Sequence, residues 1–200
     1  MDLSLILQLT GVTLGLLYLW LEYKANIWLW AVGIVMPMVH GYLYFSKGLY
    51  ADSGMEVYYV LAGVYGWAMW KFRPQSEEKP LIITHTPLRI VPRLFAIYLV
   101  LHIALYFFLS RCTDSTVPFW DSFTTALSIV ALWMLSRKFV EEWLVWLVVD
   151  ATYVFLYFYK QIPYTGGLYT VYCVLAVVGY LRWKRQAALS KGQQNSTDLG

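Results

Sequence analysis

The stretch WLVWLVVDATYVFLYFY, residues 143–159, decides how the whole chain is read. Its one charge is Asp150. A helix of about 20 mostly apolar residues, with a range of roughly 17–25, crosses a bilayer. The stretch is therefore a span with an acid inside it. A carboxylate near the bilayer centre costs roughly 2.5–3.5 kcal/mol on insertion scales, and such groups face protein-lined cavities where they act. Trp146, Asp150, Tyr153 and Tyr157 follow one another at spacings of four, three and four, which puts them on one helical face. An acid flanked by aromatic rings is a cage for a small organic cation.

The rest of the chain fits a membrane setting. Of 200 residues, 60% are hydrophobic and 14% charged, with a mean hydropathy of +0.54. A soluble domain of this size cannot hide so much apolar surface. The fold class is all-α integral membrane, with lipid as a partner. A net charge of +3 gives no reason to expect nucleic acid. Cys112 and Cys173 have neither metal nor disulfide spacing. The chain shows no His-x-x-x-His, no Gly-x-Ser-x-Gly and no P-loop, so we expect no enzyme, no metal and no cofactor. A retinal receptor would need a mid-span lysine, and every lysine falls in a loop or at a boundary. Bulky rings suit an organic ligand better than a hydrated ion, which argues against a channel. The N-terminus lacks a basic region and a cleavage site, so the first stretch reads as a retained span.

Seven spans are expected, at 3–23, 27–45, 50–72, 90–110, 119–136, 143–159 and 164–183. They put about 12 of the 15 Lys and Arg on one side, with Lys24, Arg89, Arg137 and Arg185 among them. By the positive-inside rule the N-terminus is outside and the C-terminus cytoplasmic. Trp70 and Trp183, beside Lys71 and Lys184, read as headgroup anchors.

Sliding 30–71 onto 143–184, at a constant offset of 113, leaves about 13 of 42 positions identical. Tyr44-Phe45-x-Lys47 falls on Tyr157-Phe158-x-Lys160, Gly66 on Gly179, and Trp70-Lys71 on Trp183-Lys184. Helices 2–3 thus repeat as 6–7, and helices 1 and 5 complete two three-helix units. The expected organisation is a 3+1+3 parallel repeat. Residues 1–72 form the first unit, 73–110 a polar linker with linker helix 4, 111–185 the second unit, and 186–200 a disordered cytoplasmic tail. Small transporters built this way hold substrate near the midplane between units. Pro37 is the repeat partner of Asp150, so one unit carries a helix-bending residue where the other carries a charge.

Leu49-Tyr50-Ala51-Asp52 … Tyr65-Gly66-Trp67-Ala68-Met69-Trp70 resembles the third helix of the bacterial Pnu vitamin transporters. So do Trp146-x-x-x-Asp150, Leu156-Tyr157-Phe158-Tyr159-Lys160 and Gly179-Tyr180-x-x-Trp183. The likeness covers nearly the whole chain. It implies seven helices and facilitated diffusion across the bacterial inner membrane. It further implies trapping of the product by a cytoplasmic kinase, association as a homotrimer, and a substrate such as nicotinamide riboside (PnuC members) or thiamine (PnuT members). Two positions depart from the PnuC pattern. Glu56 stands where a glutamine is usual, and Asp150 where an asparagine is usual. Two acids in place of two amides put thiamine first and nicotinamide riboside second. The expected substrate residues are Asp150, Trp146, Tyr153 and Tyr157 on helix 6, Glu56, Tyr59 and Trp67 on helix 3, and His40 and Tyr44 on helix 2. Gly63 and Gly66 are expected to serve close helix packing, and His102 a structural role.

Overall fold

The computed structural model describes residues 3–46, 50–72, 82–113, 115–159 and 163–197, without the side chains of 3–12, 43–44, 46, 50–52, 163–165 and 191–197. The regular elements among these residues are all helices: α1 (Leu3–Tyr23), α2 (Trp28–Ser46), α3 (Tyr50–Phe72), α4 (Val91–Cys112), α5 (Pro118–Ser136), α6 (Glu142–Tyr159) and α7 (Pro163–Thr197). Proline opens α5 and sits in the first turn of α4, where its missing N–H costs nothing. Pro37 lies inside α2. Among the described residues α4, α5 and α6 are long and apolar enough to cross a membrane.

The chain divides into two compact units, Met1–Glu78 and Lys79–Gly200. In the first, α2 packs on α1 and, more extensively, on α3; in the second, α4, α5, α6 and α7 pack in sequence order. Linker helix 4 therefore belongs to the second unit instead of standing apart in 73–110. Its hold on α5 is specific: His102 stacks on Tyr98 (5.7 Å), meets the Phe119 ring edge-on (5.1 Å), and hydrogen-bonds Ser122 through Nδ1 (3.1 Å).

One expectation is corrected at the C-terminus. α7 continues to Thr197, so 186–197 is helical where a disordered tail was expected. Gln186, Ala187, Ala188 and Leu189 are good helix formers, and Ala187 is buried, which extends the helix past its apolar part.

The offset of 113 reappears in the backbone. In the α1–α2 turn Ala25 N–H donates to Glu22 (2.8 Å), Asn26 N–H to Leu21 (2.9 Å) and Leu29 N–H to Asn26 (3.0 Å). In the α5–α6 turn Lys138 donates to Leu135 (2.9 Å), Phe139 to Met134 (3.1 Å) and Glu142 to Phe139 (3.2 Å). These three donor and acceptor pairs are shifted by the same 113. Ala25 (φ 50°) and Lys138 (φ 54°) both hold the left-handed conformation, unusual for a residue with a Cβ.

Each unit also has a tryptophan lock. Trp30 meets Trp70 edge-on at 5.5 Å, and Trp143 meets Trp183 edge-on at 5.8 Å. The first ring of each pair covers a glycine on the facing helix. A Cβ on Gly66 would stand 2.2 Å from Trp30 Cη2, and one on Gly179 2.6 Å from the Trp143 ring. Gly63 likewise admits α2, since its Cβ would meet Ile34 at 2.8 Å. Trp183 is 0% exposed, so it is a core residue and no headgroup anchor. The rings that meet cations stand one turn earlier than Lys71 and Lys184. Lys71 lies over Trp67 (4.5 Å) and Lys184 over Tyr180 (5.8 Å). Lys24 over Trp20 (4.0 Å) and Arg137 over Trp133 (5.3 Å) form a second pair, again related by 113.

Candidate functional site

The second unit builds a tyrosine cage around Asp150. The apolar run that makes α6 a span also buries this acid, which is 8% exposed. It makes no hydrogen bond or ion pair with another described residue. Its electrostatic neighbours are Tyr153 on its own helix and Tyr169, Tyr172 and Cys173 on α7. Tyr169 is the centre of the cage. Its ring lies 4.8 Å from Tyr153, 5.4 Å from Tyr157 in a stacked pair, and 5.5 Å from Tyr172 edge-on. Tyr153 and Tyr157 stack at 6.0 Å. These separations lie in the range where aromatic pairs attract. Helix α5 closes one side. Thr124 reaches the Tyr153 hydroxyl, and Asp121 is an electrostatic neighbour of Tyr153 and Tyr157. One turn before Asp150, the Trp146 indole N–H is buried and has no acceptor among the described residues.

A buried carboxylate and a buried indole donor, both without partners, are each costly. Stacked phenol rings offer π faces and hydroxyls beside them. The arrangement suits a flat cationic ring carrying hydrogen-bonding substituents, with Asp150 as the charge partner and Trp146 as a donor.

Of the residues expected from sequence, Asp150, Tyr153 and Tyr157 are brought together, with Trp146 one turn away. Tyr169, Tyr172, Thr124 and Asp121 were not expected. The repeat held the signal for two of them, since Tyr169 stands at the register of Glu56 and Tyr172 at that of Tyr59. The four cage positions 153, 157, 169 and 172 correspond in the first unit to His40, Tyr44, Glu56 and Tyr59.

In the first unit His40 is half-buried on α2, and Glu56 on α3 packs against Gly41, whose Cβ would stand 3.2 Å from that of Glu56. Ser53 Oγ donates to the Gly41 carbonyl (3.0 Å). Glu56 lines a groove of about 380 Å³ with Pro37, Tyr42, Phe45 and Ser53. Tyr59 pairs edge-on with Tyr58 at 5.5 Å. Trp67 is engaged with Lys71 and with Phe72 (5.4 Å), near the end of α3. The Tyr44 side chain lies outside the described residues. Among the described residues no group of three His, Cys, Asp or Glu is placed to hold a metal.

Comparison with known proteins adds the following. Residues 5–185 match the nicotinamide mononucleotide transporter family. The nicotinamide riboside transporter PnuC of Escherichia coli is 25% identical over 210 residues, covering 93% of this chain and 87% of the relative. The riboflavin/roseoflavin transporter RibM of Streptomyces davaonensis is 24% identical over 178 residues, covering 88% and 83%. The crystal structure of the vitamin B3 transporter PnuC superposes with a TM-score of 0.67 over 88% of this chain and 80% of that one, at 22% identity, a likeness of fold.

Proposed function

Because the chain belongs to the nicotinamide mononucleotide transporter family, we propose that it moves a small cationic vitamin across the bacterial inner membrane, with nicotinamide riboside as the leading substrate. The relatives reverse the order expected from sequence, in which thiamine stood first. Two PnuC proteins and their nicotinamide riboside weigh more than two acid-for-amide changes. Thiamine remains the second reading for one specific reason. Glu56 and Asp150 accept hydrogen bonds but cannot donate them when ionised, and thiamine offers amino and hydroxyl donors beside its cationic ring.

The observation that carries the proposal is Asp150: buried, unpartnered among the described residues and ringed by Tyr153, Tyr169 and Tyr172. The proposed transport is facilitated diffusion, with rocking of the two parallel three-helix repeats about the site. The matched turns and tryptophan locks support that 3+1+3 reading. The basic ends of α1, α3, α5 and α7 support a cytoplasmic C-terminus and an outside N-terminus. Trapping by a cytoplasmic kinase and assembly as a homotrimer complete the proposal.

The test is a titration of purified protein with nicotinamide riboside and with thiamine, followed by tryptophan fluorescence. Asp150→Asn weakens binding of the preferred vitamin by about tenfold or more, on the order of 1.4 kcal/mol. Unchanged affinity in a well-folded Asp150→Asn protein makes the acid structural and removes the site. Binding of neither vitamin by the parent protein removes the substrate class.

A further inference from the structure

The residues that lead into α4 are pinned to the α5–α6 turn. Thr84 donates its N–H to the Lys138 carbonyl (3.1 Å) and accepts from the Val140 N–H (2.9 Å), a single parallel bridge to the α5–α6 turn. Glu141 completes a clasp. Its Oε1 takes His85 Nδ1 at 2.6 Å, and its Oε2 takes both the N–H and the hydroxyl of Thr86 at 2.7 Å. A carboxylate that accepts three short hydrogen bonds is a strong anchor, since bonds to an ionised acceptor are shorter and stronger than neutral ones. Only one of the two repeated turns carries this anchor. At the register of Glu141 the first unit has Trp28, whose side chain is 68% exposed and whose N–H is capped by Asn26 Oδ1 (3.0 Å).

The clasp fastens the residues that lead into α4, and a second fastening lies on the helix itself. Further along the helix, the His102–Ser122 hydrogen bond and the rings of Tyr98, Phe119 and Phe123 hold it against α5. One fastening on the helix and one on the residues that lead into it restrain α4 against α5 and the α5–α6 turn.

We propose that the Glu141 clasp stays closed throughout the transport cycle and makes α4 a fixed fourth helix of the second unit. Any movement of α4 is then movement of the second unit as a whole. Glu141 is a positioning residue in this scheme. It touches no substrate and acts by holding the entry of α4. The inference rests on the transporter reading only in requiring a cycle.

The experiment starts from a chain with Cys112→Ser and Cys173→Ser, into which Thr84→Cys and Phe139→Cys are introduced as bridge partners. Uptake of nicotinamide riboside is measured in proteoliposomes before and after oxidation. Disulfide formation is followed by loss of thiol labelling. The oxidised protein is expected to keep uptake within about twofold of the reduced one. A loss of about tenfold or more, restored by dithiothreitol, shows that the clasp must open and overturns the proposal. Hydrogen exchange on the unmodified protein decides the matter even where the disulfide does not form. The amides of Thr84, Thr86 and Val140 are expected to stay equally protected with and without saturating nicotinamide riboside, and their exposure on binding overturns the proposal. Glu141→Ala is expected to lower the maximal uptake rate about fivefold with the affinity unchanged, and Glu141→Gln, which keeps an acceptor, to recover part of it. An unchanged rate in Glu141→Ala contradicts the positioning role. Failure of the transporter reading looks different, because the cysteine-free parent then takes up nothing.

Discussion

Four glycines at two repeat registers make a prediction with its own control. Gly66 and Gly179 lie under the Trp30 and Trp143 rings, whereas Gly54 and Gly167 have nothing within 4 Å of an added Cβ. All four are inside helices, so each gains about 0.8–1.0 kcal/mol of helix propensity on change to alanine. At Gly54 and Gly167 that gain stands alone. At Gly66 the new methyl would sit 2.2–2.5 Å from three atoms of an indole that is itself buried and edge-packed on Trp70. The ring must move, and overpacking of this kind costs about 1–3 kcal/mol. Disrupting the edge-to-face pair adds about 0.5–1.5 kcal/mol. The net effect of Gly66→Ala is a destabilisation of about 2 kcal/mol, with somewhat less at Gly179, where the contact is 2.6 Å. In a chain of this size each kcal/mol moves the melting temperature by about 2–4 °C. Gly66→Ala should therefore melt about 4–8 °C below wild type, and Gly54→Ala about 2–4 °C above it. The assay is thermal unfolding in detergent, read as the soluble fraction by size-exclusion chromatography. Adding Trp30→Phe to Gly66→Ala should return part of the loss, because the smaller ring leaves room. If Gly66→Ala and Gly54→Ala shift the midpoint in the same direction, the lock is not a tight contact and the reasoning fails.

Three further outcomes are expected. Ala25→Gly relieves the left-handed backbone at φ 50° and should stabilise the first unit by about 0.5–1 kcal/mol, the αL penalty less the entropy of glycine; a lower melting temperature contradicts it. For Glu141, burial pushes the carboxyl up, but hydrogen bonds from the His85 side chain and from the Thr86 hydroxyl and N–H outweigh it and hold the group below its ordinary 4.5. A depressed acid stabilises fully above its unfolded pKa and loses that stability as pH falls through the folded value, so the clasp should be complete above about pH 4.5 and fail only below it. Melting curves of wild type and Glu141→Gln should run parallel from pH 7.5 to 5 and converge below pH 4; a convergence already at pH 6 refutes the assignment. Finally, Glu56→Gln combined with Asp150→Asn should raise the preference for nicotinamide riboside over thiamine in competitive uptake, even as both bind more weakly, and an unchanged ratio shows that these acids do not select the substrate.

Helix boundaries were legible wherever an apolar run met a polar break. Leu3–Tyr23 and Tyr50–Phe72 are read from the sequence as they stand in the structure. The end of α7 was not legible, because polar composition says that a segment leaves the membrane but does not say that it unwinds. The repeat was visible only from Trp30 onward, where side chains coincide. The backbone carries it back to Leu21 and Met134 through turns that share hydrogen bonds and a left-handed residue but little sequence. Identity compares side chains, and a turn is specified by dihedrals that several residues satisfy. In the cage, Asp150 announced itself by its cost, whereas Tyr169 and Tyr172 looked like two more of the seventeen tyrosines. The Glu141 clasp was hidden for another reason. His85 and Thr86 stand 56 and 55 residues before Glu141, with no periodicity to link them.

The tryptophan lock makes each helix pair behave like tweezers joined near one end. In the second unit the join is Trp143 against Trp183 and Gly179, and the arms are α6 and α7. At 1.5 Å per residue, Asp150 lies roughly 10 Å along its arm from the join and Tyr157 roughly 20 Å. A turn of about 5° at the pivot then displaces Asp150 by about 1 Å and Tyr157 by nearly 2 Å. The Tyr157–Tyr169 stack, at 5.4 Å, sits inside the attractive range of about 4.5–7 Å, and a lever stroke of that size carries it to the edge. The packed end thus amplifies: a small angular give at the join becomes the making or breaking of a ring contact in the tyrosine cage.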